Sequence, residues 1–298
     1  MTKNHLGIDH PLVAVKDMDK ACEDFARLGF FINPRHHHPW GTDNHLLMFP
    51  ENFIEVISIY DASKLDQKNE KGFAFGRFIS DSLARKEGLA LVALHSEDAR
   101  QDHQLMQDRH VENQGLVDFR RIAHRPDGRE EEAVVSLVML INTEFPAISH
   151  FFCHQHKPHL VWVKDWMTHA NGATAISKVS YVADSPETLC PRFVGIYGEE
   201  AVTLTRGMLE VSTDRGDFEF FTPAQAQIRF AGVEVPITPE QQPSGVAIRV
   251  TTLSIPKAKA HLDKNQVSYH TTEEGGLRIP ASYAGNTIIE IYPEEAED

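Results

Sequence analysis

Hydrophobic and polar residues follow two periods along this chain, and the two periods recur in the same order four times. The stretch LGIDHPLVAV alternates as a strand does, and one face of it is predicted to carry Ile8, His10, Leu12 and Ala14. Asp17 then caps a predicted helix, MDKACEDFARLG, which has apolar positions at helical spacing and closes at Gly29. Three further strands follow, FFINP, HLLMF and FIEVISI, so the predicted unit is βαβββ.

The same order of elements is predicted in three later stretches. The second copy begins at GLALVALHSED, has a helix over about 98–110, and continues with the strands DFRRIAH, AVVSLVMLI and AISHFFCH, with a PDG turn between the first two. The third begins at TAISKVSYVADS, with a helix near 186–195 and the strands AVTLT, MLEVS and FEFF. The fourth begins at GVAIRVTTLS, with a helix near 255–264 and the strands SYHTT, LRIP and TIIEIY.

The repeat predicts the architecture. One βαβββ module leaves a curved half-barrel with an open face, which a second module must cover. We therefore expect an α+β fold of four βαβββ modules paired into two open-barrel, cup-shaped units. A connector at 154–172 separates the expected pairs, residues 1–153 and residues 173–298. A second connector at 59–87 lies inside the first pair, and its later part, FGRFISDSLARKEG, is predicted to be helical.

Composition narrows the class of protein. The chain has 298 residues, 41% of them hydrophobic, but no stretch reaches the roughly 20 apolar residues of a membrane helix. The N-terminus lacks the order of a signal peptide, and three cysteines at irregular spacing favour reduced thiols, so we expect a cytoplasmic protein. A formal charge of −14 without a basic stripe argues against nucleic acid. The expected partner is a small-molecule substrate, with no membrane, and the chain is expected to be a monomer or homodimer.

Three stretches resemble a known superfamily. These are IDHPLVAVKDMDKACEDFARLGF, HHHPWGTDNHLLMFPENFIEVISI and the connector FFCHQHKPHLVWVKDWMTHANGA. They resemble the vicinal-oxygen-chelate superfamily, which includes glyoxalase, bleomycin-resistance protein and extradiol dioxygenase, in its glyoxalase-like branch. The resemblance covers essentially the whole chain, and it is weak by motif in the last two copies. It implies a divalent metal held between two modules and chelation of adjacent substrate oxygens, but superfamily membership does not decide the reaction.

The resemblance carries the ligand positions to particular residues. In the first module they fall on His10 and Glu55, and a carboxylate on an apolar strand face is costly unless it is paired or metal-bound. In the second module the first-strand position falls on Leu91. Aligning FIEVIS with ISHFFC places His150 opposite Glu55. The set His10, Glu55 and His150 matches the two-histidine, one-carboxylate site of non-haem Fe(II) enzymes, so Fe(II) is favoured, while Zn, Mn or Ni could bind the same set.

Other polar residues offer alternatives near this site. His154 and His156 are rival third ligands or substrate contacts. In the loop RHHHPWGTDN, His38 is a candidate general base, and Thr42 and Asn44 are candidate substrate contacts. The competing interpretation of this loop is a turn made rigid by proline and glycine.

The third and fourth modules lack the imidazoles. Their first-strand positions lie near Ser177 and Ala247, while their last strands keep Glu219 and Glu290. Carboxylates without histidines make a poor transition-metal site, so we expect no metal in this half.

These features favour a metal-dependent glyoxalase- or dioxygenase-like enzyme. It would act as a dioxygenase, lyase or isomerase on a small oxygen-rich molecule through bidentate chelation. The alternative is a non-catalytic, drug-sequestering protein of the bleomycin-resistance kind, which needs an apolar cup but no ligands. A third possibility is a structural module in which the histidines are incidental. Retention of His10 and Glu55 argues against the drug-sequestering alternative.

Overall fold

The βαβββ order occurs four times in the structure, a computed structural model that describes residues 6–69, 71–124, 128–237 and 243–294. The first module consists of β1 (Ile8–Ala14), α1 (Met18–Arg27), β2 (His36–His37), β3 (Thr42–Met48) and β4 (Phe53–Ile59). Helix α2 (Phe75–Arg85) follows it. The second module consists of β5 (Gly88–His95), α3 (Ala99–Asp108), β6 (Leu116–His124), β7 (Glu130–Leu140) and β8 (His150–Gln155).

The second half repeats this plan. Its first module consists of β9 (Ala173–Val182), α4 (Cys190–Tyr197), β10 (Val202–Thr205), β11 (Met208–Val211) and β12 (Asp217–Phe221). Helix α5 (Pro223–Arg229) follows it, in the place that α2 has in the first half. The last module consists of β13 (Ser244–Thr252), α6 (Ile255–Lys264), β14 (His270–Thr271), β15 (Leu277–Ile279) and β16 (Ile288–Pro293).

Each pair of modules forms one curled, eight-stranded sheet. The strand orders are β2-β3-β4-β1-β5-β8-β7-β6 and β10-β11-β12-β9-β13-β16-β15-β14. The first strands of the two modules pair antiparallel at the centre, and each is parallel to the last strand of its own module. This topology confirms the predicted α+β fold of four modules in two open-barrel units.

Local sequence signals set most helix ends. The Asp17 side chain accepts a hydrogen bond from the backbone of Lys20 at the start of α1, and Asp98 caps α3 in the same way. Gly29 follows α1 with a φ of +95°, a conformation that favours glycine. The helical part of the first connector is confirmed as α2, whereas α5 was not predicted and FFINP forms no strand. Most of the predicted PDG turn, residues 126 and 127, lies outside the described residues.

Strand β1 departs from simple alternation at one residue. Its pairing with β5 is shifted between Ile8 and His10, so Asp9 is the extra residue of a β-bulge. As a result Ile8 joins the core between the two sheets, while Leu12 and Ala14 face the concave side with His10. The prediction that Ile8 shares this face is therefore wrong, because a bulge reverses the side on which the preceding residues point.

The two sheets pack against a common core. One apolar cluster contains Phe25 and Phe152 from the first half together with Phe193, Phe220 and Ile289 from the second. Hydrogen bonds also join the halves, and the Asn52 side chain bonds to both the backbone N–H and the carbonyl of Ile176. None of the helices in the described part of the chain has the length and apolar character needed to cross a membrane.

Candidate functional site

The concave face of the first sheet encloses an inner cavity of about 60 Å³, room for about four water molecules. His10 reaches it from β1 and Glu55 from β4, because these strands are parallel neighbours with Leu12 opposite Glu55. Both side chains are almost fully buried, and the His10 Nε2 atom lies 3.3 Å from a Glu55 carboxylate oxygen. The structure thus brings together the two residues predicted as ligands in the first module.

The imidazole of His10 is held in one orientation. Its Nδ1 atom lies 2.6 Å from the carboxylate of Asp9, a contact that the β-bulge permits although consecutive residues of a regular strand point to opposite faces. The ring stacks on Phe53, with centroids 4.2 Å apart and planes inclined by 12°. The Nδ1 proton is therefore directed to Asp9 and Nε2 to Glu55. A carboxylate behind a histidine is the usual partner of a metal-ligating imidazole.

His38 and Asn44 of the β2–β3 region complete the polar wall of the cavity, and Thr42 contacts His38. Asn44 donates a hydrogen bond of 2.6 Å to Glu55 and lies 3.4 Å from Nε2 of His38. The Thr42 hydroxyl lies 2.8 Å from Nδ1 of His38 and accepts a hydrogen bond from Trp40. If the Thr42 oxygen accepts from both the Trp40 N–H and the His38 Nδ1–H, the two amide hydrogens of Asn44 are donated to Glu55 and to Nε2 of His38. In that network the Nε2 lone pair of His38, at the cavity, accepts the Asn44 N–H.

Burial and charge oppose each other at His10 and Glu55. Burial disfavours an imidazolium, but the hydrogen bonds and charges of Asp9 and Glu55 outweigh it and raise the pKa of His10 to about 9. Burial likewise disfavours carboxylates, yet the contacts of His10 hold the pKa of Asp9 and of Glu55 below their usual values. These three groups alone therefore carry one excess negative charge in a buried place. A divalent cation that replaced the proton of His10 would cancel this charge.

The donor atoms fit a metal ion. Ligand atoms of Asp9, His10 and Cys153 all lie within 4.8 Å of one another, so the described chain contains a possible ligand cluster. The Oδ1 atom of Asn44 is buried and has no hydrogen-bond partner among the described residues. An oxygen, a thiol, a carboxylate and an imidazole thus converge near the cavity. Catalytic metal sites commonly take three protein ligands and leave a position open.

The third predicted ligand lies elsewhere. His150 is on the opposite face of β8, where its ring packs edge-on against Phe193 and Phe218 of the second half. Its neighbours Phe151 and Cys153 are the residues that line the cavity. The prediction that His150 joins the ligand set is therefore wrong by one residue of register. Without His150 the predicted set contains a single histidine, so the match to the two-histidine, one-carboxylate site that favoured Fe(II) no longer holds.

Strand pairing gives the correct alignment of the two modules. Ala93 of β5 corresponds to Leu12 of β1, because each lies five residues before the aspartate that caps the following helix. The residue opposite Ala93 on β8 is Phe151. Phe151 is thus the counterpart of Glu55. Phe151 and Leu91 put apolar residues at the two ligand positions of the second module, while Cys153 of the same module lines the cavity.

His154 and His156 also lie outside the cavity. They stack on each other with centroids 4.0 Å apart, and His156 bonds to the Ser136 hydroxyl. Neither lines the inner cavity, so the structure does not support them as rival ligands there. Thr42 orients His38 and Trp40 instead of lining the cavity itself, whereas Asn44 and His38 do line it.

The second sheet has carboxylates at the same module positions. Glu219 and Glu290 stand on the last strands of their modules, opposite Ser180 and Arg249 of the first strands. The first-strand residues two positions earlier, which correspond to His10, are Lys178 and Ala247. The earlier placement near Ser177 is thus one residue off, while Ala247 is correct.

Cations of the chain itself lie between these two carboxylates. Arg229, at the end of α5, makes two hydrogen bonds of 2.7 and 2.9 Å to Glu290 and lies 3.5 Å from Glu219. Arg278 and Arg249 also contact Glu290, at 2.9 and 3.2 Å. A guanidinium group is therefore placed between the carboxylates of this cup, where the first sheet has its cavity.

A family model described as a glyoxalase-like domain matches residues 8–196, more than half of the chain. The chain belongs to this glyoxalase-like domain family. No curated protein was found to match the sequence of this glyoxalase-like protein.

Solved structures share its fold over nearly the whole length. A hypothetical protein from Staphylococcus aureus superposes with a TM-score of 0.69 at 14% identity, covering 97% of this chain and 99% of the other. A mutant 4-hydroxymandelate synthase from Streptomyces coelicolor gives 0.61 at 11% identity, with 100% and 95% covered. A xylose isomerase-like TIM barrel/4-hydroxyphenylpyruvate dioxygenase fusion protein gives 0.56 at 13% identity, with 99% and 50% covered. At these identities the likeness concerns the fold alone, while the family model confirms the predicted glyoxalase-like resemblance.

Sequence reasoning missed two residues of the glyoxalase-like site. Asp9 was passed over because a regular strand would turn it away from His10, and only the bulge brings the two together. Cys153 was not among the predicted site residues. The alternation of Phe151 and Cys153 along β8 could have placed it in the cup, once Phe151 is aligned with Glu55.

Proposed function

We propose that this glyoxalase-like protein is a divalent-metal-dependent enzyme that acts on a small oxygen-rich molecule in the cup of the first sheet. The observation that carries the proposal is the buried chain of contacts from Asp9 through His10 to Glu55, with its excess negative charge. His10 and Glu55 would hold the ion, and Cys153, which lines the cavity and clusters with His10, is a further donor. The bound ion would supply Lewis acidity to a chelated carbonyl or hydroxyl oxygen.

The residues of the chain have distinct roles in this proposal. Asp9 fixes the tautomer of His10, and Phe53 fixes the plane of its ring. His38 would accept a proton from the substrate at Nε2 in place of the Asn44 N–H, because its Nδ1 is engaged by Thr42. Apolar side chains around the cavity exclude bulk water, which strengthens the electrostatic interactions inside.

The preferred metal depends on the donor atoms that remain once His150 is excluded from the site. A site of one imidazole, one carboxylate and one thiol suits Zn(II) at least as well as Fe(II), and Mn(II) or Ni(II) are further candidates. Whether the reaction is that of a dioxygenase, a lyase or an isomerase depends on which ion is resident. A non-catalytic ligand-binding role is the alternative, and the apolar residues Leu91 and Phe151 at two ligand positions are the observation that favours it.

Elemental analysis of protein purified without an affinity tag tests the proposal. We expect one equivalent of a divalent metal per chain in the wild type and less than a tenth of that in a His10→Ala, Glu55→Ala variant. Cys153→Ser should retain metal with lower affinity in competition with a chelator.

A matched control replaces the exposed residues His159 and Glu144 by alanine, which should leave the metal content unchanged. If the wild type is free of metal and also fails to take up added Zn(II), Mn(II), Ni(II) or anaerobic Fe(II), the proposal is wrong. The ligand-binding alternative would then stand.

A further inference from the structure

A larger pocket lies directly outside the inner cavity. This outer pocket has a volume of about 720 Å³, within the range of sites for small organic ligands. Trp40, Phe75, Phe119 and Leu137 line both the outer pocket and the inner cavity. Only one layer of side chains therefore separates the two spaces. Trp40 packs against Phe75 and Phe119 with ring centroids 5.1 Å apart in each case.

The volumes of the inner cavity and the outer pocket together restrict the size and shape of the substrate. The inner cavity accommodates only a few heavy atoms beside His10 and Glu55. A molecule whose oxygens reach these residues must extend through the aromatic layer into the outer pocket. The part that passes Trp40, Phe75 and Phe119 must be apolar to contact these rings favourably.

The charge of the outer pocket restricts the substrate further. Among its described lining residues, Lys68, Lys71 and Arg100 are cationic and Asp118 is anionic. Asp118 is engaged by Arg100 at 3.4 Å and by the Ser136 hydroxyl. Lys68 and Lys71 are exposed and form no ion pair among the described residues, although Lys68 lies near enough to Asp66 to lower the pKa of that carboxyl. Although the whole chain carries a formal charge of −14, exposed cations that line a pocket attract anions locally.

We infer that the outer pocket binds the distal anionic group of the substrate. The inference rests on the proposed function and names its substrate class: a small organic acid with oxygen donors at one end, an apolar and ring-sized body in the middle, and a negative charge at the other end. Lys68 and Lys71 attract the distal anion, while Trp40, Phe75 and Phe119 contact the body.

Two fluorescent probes that differ by one charge test this inference. Anilinonaphthalene sulfonate is an anion, and N-phenylnaphthylamine is the same ring system without the sulfonate. We expect wild-type protein to bind the sulfonate more tightly. A Lys68→Glu, Lys71→Glu variant should bind it about tenfold more weakly, with little change for the neutral probe. The exposed lysines of α6 give the control, Lys257→Glu with Lys264→Glu, which should bind both probes as the wild type does.

A second variant locates the probes. Val117→Trp fills the outer pocket from the edge strand β6 and should weaken both probes. Retention of either probe by this variant would overturn the inference. So would equal loss of both probes in the double lysine variant. The titrations are repeated with the His10→Ala, Glu55→Ala variant, in which probe binding should persist. Failure of the anionic pocket is thereby distinguished from failure of the metal site.

Discussion

Asp9 shows how a single residue determines the chemistry available to its neighbour. Its carboxylate is fully buried and contacts both His10 and, at 3.4 Å, His95. In a regular strand this side chain would be on the far side of the sheet. The bulge makes a carboxylate–imidazole pair from two consecutive residues, so the metal affinity of His10 should depend on Asp9.

Replacing Asp9 by asparagine should therefore weaken metal binding by about 10- to 100-fold, because the imidazole loses its charged partner. Chelator competition measures the affinity. Asp43 offers a matched control, since it is also a buried aspartate of the first sheet but contacts Ser58 and Arg35. Asp43→Asn should alter stability without altering metal affinity. Equal effects of both changes on affinity would contradict the role of Asp9.

The burial of His150 should make the stability of the protein depend on pH. Burial, together with the charge of Arg192, lowers its pKa from the ordinary value of about 6.5 to about 3. Below about pH 6.5 the unfolded chain binds a proton that the folded chain cannot, so stability is lost as pH falls from there towards 3.

His150→Leu should remove this pH dependence. At pH 5 the wild type should have lost about 2 kcal/mol of unfolding free energy from this group relative to neutral pH, and the variant should not. Urea unfolding at several pH values gives the comparison. His159→Leu, at an exposed position, should keep the wild-type dependence. An unchanged slope in the His150 variant would mean that another group causes it.

At the scale of elements, local sequence signals predicted most helices correctly. They did not predict which face of a strand lies on the concave side of the sheet. Helices α1, α3 and α6 could be predicted because N-terminal caps and apolar spacing agree. The concave face of β8 could not be predicted. Phe151 and Phe152 are both buried, so the alternation of apolar and polar residues does not distinguish the two faces of this strand. Helix α5 escaped prediction because its seven residues carry too few apolar positions to show a helical period.

Helix α5 matters because it carries Arg229 into the second cup. Arg229→Met leaves two buried carboxylates with fewer cations, and we expect a loss of about 2–3 kcal/mol in unfolding free energy. Arg77 also makes a two-bond pair, with Asp66, but at the surface. Arg77→Met should change stability little. Similar losses in both variants would show that the second cup does not depend on this arginine.

At the scale of the whole molecule, the repeat predicted the two cups but not their common core. Sequence periodicity reports which positions are buried, and it does not report what covers them. Because one cluster joins Phe25 and Phe152 to Phe193 and Phe220, we expect the two sheets to unfold together.

Urea unfolding transitions that coincide when followed by fluorescence and by circular dichroism would show that the two sheets unfold together. All three tryptophans, Trp40, Trp162 and Trp166, lie before the second sheet, so fluorescence reports the first half and its connector. Circular dichroism reports strands of both halves. Urea midpoints from the two signals should agree. A separate, earlier fluorescence transition would indicate that the first sheet unfolds alone.

The guanidinium between Glu219 and Glu290 has a consequence for the durability of the molecule. This cation is part of the polypeptide, so it cannot be chelated, exchanged for another element or oxidised. If the first cup holds the proposed ion, a cell short of metal would deprive that cup of its cation but not the second. The C-terminal sheet should then keep its shape under metal starvation and remain a folded support on which an emptied site can be reloaded.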